Sequence, residues 1–85
     1  MASYRLQIKP SAVKELEGLP LHDRRRVVER IATLAAEPRP SGCEKLSGQD
    51  KYRVRQGSYR VLYAVDDAAR SVTVVKVGHR RDVYR

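Results

Sequence analysis

The stretch from Lys51 to Tyr63 constrains the fold more than any other part of this chain. Its residues run Lys51-Tyr52-Arg53-Val54-Arg55-Gln56-Gly57-Ser58-Tyr59-Arg60-Val61-Leu62-Tyr63. Side chains alternate between the two sides of a strand, so Arg53 and Arg55 share one face and Tyr52 and Val54 the other. Gly57-Ser58 is a tight-turn signal between the two runs, which predicts a hairpin. The second strand, Tyr59 to Val65, is apolar on both faces and therefore central. Asp66-Asp67-Ala68-Ala69 forms the next turn. A third strand, Ser71 to Val77, is β-branched almost throughout. Gly78 is expected to end it, with His79-Arg80-Arg81 beyond.

The front of the chain supplies what covers such a sheet. Tyr4, Leu6 and Ile8 alternate with Arg5, Gln7 and Lys9, a half-buried strand. Pro10 suits the first turn of a helix whose inner face carries Val13 and Leu16, with Leu19 further on. Gly18 and Pro20 stop it. Asp23 is placed to cap a second, longer helix. Val27, Val28, Ile31, Leu34 and Ala35 form its apolar stripe, while Arg24, Arg25, Glu29 and Arg30 face water or a partner. Pro38 and Pro40 end it before a loop from Arg39 to Gly48. The expected fold is α+β in the order β-α-α-β-β-β. A four-stranded, largely antiparallel sheet carries two helices packed on one face, and the other face stays partly open. Residues 1–85 are expected to form a single domain.

Charge is concentrated on the sheet half. The chain carries 18 Lys and Arg against 10 Asp and Glu, a formal net charge of +8. Residues 1–50 hold nine cations and seven anions, a net of +2; residues 51–85 hold nine and three, a net of +6. Such a field attracts nucleic acid, an anionic membrane or an acidic protein. Cys43 is the single cysteine, so no intramolecular disulfide or Cys-rich metal site is available, in keeping with a reducing cytosol. The first residues lack the apolar core of a signal peptide, and no apolar run is long enough to span a bilayer. A cytoplasmic protein is expected.

The chemistry-bearing residues are mostly cations. There is no Gly-rich phosphate loop, no His-x-x-x-His and no Ser/His/Asp constellation. Asp66-Asp67 sits in a turn, where neighbouring carboxylates point apart, so no metal and no cofactor is expected. RNA can be cut without a metal when its own 2′-hydroxyl attacks the adjacent phosphate. A protein that catalyses this must orient the attack, stabilise the phosphorane and move two protons. Arginine's planar fork suits the second task, and Arg53, Arg55, Arg60 and Arg80 are the candidates. Arginine is a poor base, its pKa lying above about 12. The proton could pass to His79, which titrates near neutrality, or to Glu44 in the preceding loop. Tyr84 could stack on a base or polarise the 2′-hydroxyl. Tyr52, Tyr59 and Tyr63 read mostly as core.

Taken together, these residues resemble the RelE/ParE superfamily of toxins from type II toxin–antitoxin systems, and its RelE branch more closely. The resemblance covers nearly the whole chain. It is carried by Lys45-Leu46-Ser47-Gly48, Tyr52-Arg53-Val54-Arg55, Gly57-Ser58-Tyr59-Arg60-Val61-Leu62-Tyr63 and Val77-Gly78-His79-Arg80-Arg81-Asp82-Val83-Tyr84. It implies a toxin that cleaves mRNA in the ribosomal A site, and a cognate, RelB-like antitoxin that neutralises it. By position, Arg53 and Arg55 match substrate-contacting residues that are often lysines. Arg60 matches the residue that holds the scissile phosphate, Arg80 a transition-state stabiliser or acid, and Tyr84 a stacking tyrosine. Lys51 and Arg81 join Arg53 and Arg55 as expected RNA contacts. With arginines where the family often has lysines, His79, Glu44 or positioning by the ribosome must take over from a lysine base. The sequence ends just after Tyr84, so no long C-terminal helix is expected for an antitoxin to displace. The resemblance leaves two alternatives: a ParE-like DNA gyrase inhibitor with no nuclease activity, and a degenerate member that only binds RNA or its antitoxin.

Overall fold

The computed structural model describes residues 3–46, 48 and 50–79. In chain order the elements are β1 (Arg5–Ile8), α1 (Pro10–Glu17), α2 (Leu21–Thr33), β2 (Glu44–Lys45), β3 (Lys51–Gln56), β4 (Tyr59–Asp66) and β5 (Ser71–His79). The hairpin forms as the alternation predicts, with Tyr52 opposite Tyr63, Val54 opposite Val61 and Arg55 opposite Arg60. Gly57 turns the chain with a φ of 60°, a region that glycine enters without a Cβ clash.

The strands lie in the order β1-β5-β4-β3-β2, so β4 is central as expected. β1 runs parallel to β5, and every other pairing is antiparallel. Among the described residues the sheet has five strands rather than four. The added one, β2, pairs Glu44 with Arg53 and Lys45 with Tyr52. Two residues are too few to leave an alternation pattern. β5 also runs further than predicted. Gly78 does not end it but pairs with Arg60, and His79 pairs with Tyr59. A bulge between the Leu62–Lys76 and Tyr63–Val74 pairs gives β5 an extra residue, Val75.

The two helices cover one face. Ala12 and Leu16 from α1 and Val27, Ile31 and Leu34 beside and within α2 are buried against Tyr52, Val54, Val61, Tyr63, Val65, Val72, Val74 and Val77. Val13 and Val28, expected inside, are 39% and 45% exposed. Each follows a buried residue, and one step along a helix turns the side chain by about 100°. The same stripe survives with Ala12 and Val27 as its inner members.

Two polar residues also differ from expectation. α2 begins at Leu21 with Pro20 at its N-cap, so Asp23 falls in the first turn. Its carboxylate accepts a hydrogen bond from the Tyr59 hydroxyl at 3.0 Å instead of capping the helix. Arg24 turns back toward α1, and its Nη2 donates to the Glu17 and Leu19 carbonyls at 3.1 and 3.2 Å. Those carbonyls lie at a helix end, where intrahelical donors are missing. Past Val74, β5 runs beyond its partner β1, and the Glu15 carboxylate accepts from the Val77 amide at 2.9 Å. Among the described residues, no helix is long and apolar enough to cross a membrane.

Candidate nucleic-acid interface

The sheet face away from the helices carries the arginines. Their placement follows from register alone. Arg55, Arg60 and Gly78 form one row across β3, β4 and β5, and Arg53 lies two residues along β3 on the same face. Lys51 shares that parity at the start of β3, opposite Ala64. Arg55 is exposed, while Arg53 and Lys51 are half-buried. Arg60 is only 6% exposed. It is therefore a cation set into the sheet surface, with Gly78 beside it contributing no side chain. Like charges directly opposite each other, as Arg55 and Arg60 are, repel. A buried cation also costs free energy unless an anion compensates it.

One carboxylate, Glu44, reaches this face through Arg53. Its Oε1 accepts from Arg53 Nη2 at 2.7 Å and from Nε at 3.3 Å. The Arg53 hydrogen bond and charge, with the charges of Arg55 and Arg60, hold the Glu44 carboxyl below the usual carboxylate range. Glu44 thus stays ionised and is a weak base.

His79 lies elsewhere. Its ring meets Tyr59 edge-on at 6.0 Å, on the helix side of the sheet, where the Tyr59 hydroxyl bonds Asp23. Asp23 raises the Tyr59 phenol pKa by accepting that bond. His79, Tyr59, Asp23, Arg26 and the Gln56–Ser58 turn border a cleft of about 330 Å³. The structure therefore brings Glu44, Arg53, Arg55 and Arg60 together and sets the His79 ring on the other face. Arg80, Arg81 and Tyr84 lie outside the described residues. Among the described residues, no group of three or more His, Cys, Asp or Glu side chains is placed to hold a metal ion. The link from Glu44 to Arg53 was hidden in the sequence because it depends on β2; the alternation of β3 revealed only one partner.

The fold is a small α+β architecture with arginines on the open face of its sheet. The chain belongs to the family described as the ParE toxin of type II toxin–antitoxin systems, parDE, whose model matches residues 6–84. Within that family it is a RelE-like toxin. It is 34% identical over 86 residues to toxin RelG of Mycobacterium tuberculosis, a match covering 96% of this chain and 97% of RelG. The toxin–antitoxin complex RelBE2 of Mycobacterium tuberculosis holds a chain that superposes with a TM-score of 0.81 at 30% identity, covering 92% of this chain and 99% of that one. The archaeal RelE–RelB complex of Pyrococcus horikoshii gives a TM-score of 0.80 at 32% identity, covering 98% of this chain and 100% of that one.

Proposed function

We propose that this toxin is a ribosome-dependent mRNA endoribonuclease that stops translation, and that its reaction needs no metal. The observation that carries the reading is the row of Arg55 and Arg60 with Arg53 beside it: three guanidinium groups on a rigid sheet, one of them buried. Such a surface can grip a phosphodiester and stabilise the added charge of a phosphorane. The 2′-oxygen attacks phosphorus, the bond to the 5′-oxygen breaks, and a cyclic phosphate and a free 5′-hydroxyl result. Arg60 holds the phosphate, Arg53 and Arg55 orient the backbone, and Lys51 extends the track along β3. Arg80 and Tyr84 are assigned, by resemblance, to transition-state stabilisation and base stacking. Arg81 is assigned to RNA contact. Because Glu44 is a weak base and His79 faces away, the reaction leans on positioning of the mRNA by the ribosome. The partners are that ribosome and a RelB-like antitoxin, for which a +8 surface and relatives solved as RelE–RelB complexes are the support. The place of action is the cytoplasm.

The ParE description of the matching family supports a second reading, inhibition of DNA gyrase without RNA chemistry. Primer extension on translated mRNA after induction separates the two. Codon-phased cuts support the first; blocked supercoiling with intact mRNA supports the second. The Arg60→Ala, Arg80→Ala double variant is expected to lose toxicity and keep antitoxin binding. Undiminished cleavage by that variant would overturn the assigned mechanism.

A further inference from the structure

Glu44 stands at the edge of the cationic face, beside Arg53. It is on a two-residue edge strand, and its side chain is 57% exposed, whereas its partner Arg53 has a side chain only 15% exposed. Arg53 Nε and Nη2 both donate to one carboxylate oxygen, at 3.3 and 2.7 Å. Arg55 and Arg60 bias the same carboxylate from β3 and β4, and Lys45 adjoins it on β2. A carboxylate oxygen held by an arginine fork has the geometry of a phosphate oxygen held by the same fork. We propose that Glu44 is a resident substitute for the RNA phosphate: it occupies and orients Arg53 in the free toxin, and an incoming phosphodiester displaces it.

Two physical requirements meet in this arrangement. Arg53 is held by a carboxylate in the free toxin, at 2.7 Å from its Nη2, on the face that Arg55 and Arg60 share. Glu44 is exposed and its edge strand is short, so releasing it disrupts little packing. RNA that gains only Arg53 must repay the loss of the Glu44 bond, while RNA that reaches Arg55 and Arg60 as well replaces it in full. Glu44 is thus a positioning and selectivity residue that acts through Arg53. It raises the threshold for loosely bound RNA and holds the fork ready for a phosphate that fits the whole row.

This inference rests on the arginine face being a phosphate-binding surface, and the test separates the two ideas. The probe is a short fluorescent single-stranded RNA, titrated by anisotropy at low salt against the full chain and against Glu44→Gln, Arg53→Ala and the double variant. Exposed ion pairs are worth little, so Glu44→Gln is expected to tighten RNA binding by about two- to fivefold. In the Arg53→Ala background the same change should have no more than a marginal effect, because its competitor target is gone. If Glu44→Gln tightens binding equally in both backgrounds, the gain is mere loss of a negative charge and the inference fails. If the wild type binds RNA but Glu44→Gln binds no better, the inference fails while the reading of the face survives. A wild type that binds no RNA overturns both. Matching thermal melts for the four proteins exclude misfolding as the source of any difference.

Discussion

At the scale of single residues, Asp67 shows how a turn residue acquires a role from its neighbours. Arg39 grips its carboxylate with both Nη atoms, at 3.2 and 2.8 Å. The Tyr4 hydroxyl donates to the same group at 2.6 Å. Arg39 Nε also donates to the Tyr52 hydroxyl at 2.9 Å, and Arg70 lies 5.0 Å from the centre of the Tyr4 ring. The Asp66-Asp67 turn is thus a clasp between β1, the loop after α2 and the β4–β5 turn, rather than only a solvated tip. The Arg39 and Tyr4 bonds hold the Asp67 carboxyl below its ordinary value. A carboxyl depressed on folding contributes stability above its unfolded pKa, about 3.9, and loses it as the pH falls through the folded value. Asp67→Asn is therefore expected to melt below the wild type at pH 7, and the gap should close as the pH drops below about 4. A gap independent of pH would contradict this account.

Tyr63 makes a different case at the same scale. It is fully buried, stacks on Tyr52 with ring centres 5.8 Å apart, and donates its hydroxyl to the Pro38 carbonyl at 2.6 Å. Burial pushes its phenol pKa up, so it stays a donor throughout the useful pH range. Tyr63→Phe strands the carbonyl of a buried proline and is expected to cost about 1–3 kcal/mol in urea unfolding. A variant as stable as the wild type would show that water reaches Pro38. The sequence marks Tyr63 as a core residue through its alternation. Its partner, 25 residues earlier in a loop, has no local signal.

Elements differ in how openly the sequence announces them. β3 and β4 are legible because period-two patterning brackets Gly57-Ser58. Gly57 sits at φ 60° with nothing within 4 Å of an added Cβ, so a substitution meets backbone strain and no clash. Gly57→Ala is expected to lower stability by about 1–2 kcal/mol, read from the urea midpoint, since an L-residue must enter the left-handed region. An unchanged midpoint would mean the turn relaxes to another type. β2 is illegible because two residues have no period, and β5 runs past the Gly78 that its sequence offers as a terminator. In the sheet Gly78 is an interior residue beside Arg60. Glu15 belongs to this scale as well, because its carboxylate ends the unpaired edge of β5. Glu15→Ala is expected to speed hydrogen exchange at the Val77 amide while leaving Val61 protected. Equal exchange in both proteins would remove Glu15 from that role.

At the scale of the whole molecule, charge and topology act together. The excess of cations on residues 51–85 becomes a directed field because β3, β4 and β5 are neighbours. Phosphate contacts release counterions, so RNA affinity should fall steeply with salt. Replacing both Arg53 and Arg55 by alanine should lower the slope of log K against log salt by about 1.4. A slope unchanged by that pair of substitutions would place the RNA on another surface. What the sequence by itself determined is the part written in short-range pattern: two amphipathic helices, a basic hairpin, a β-branched strand, and the parity that puts Lys51, Arg53 and Arg55 on one face. Tertiary structure alone decided which of those residues meet. Register across strands set Arg60 between Arg55 and Gly78 and sank it into the sheet. A two-residue pairing brought Glu44 onto Arg53. Pairing with Tyr59 across β4 and β5 set His79 on the helix side. Each of these outcomes depends on contacts between residues distant in sequence, and side-chain periodicity reports only on a residue's own element.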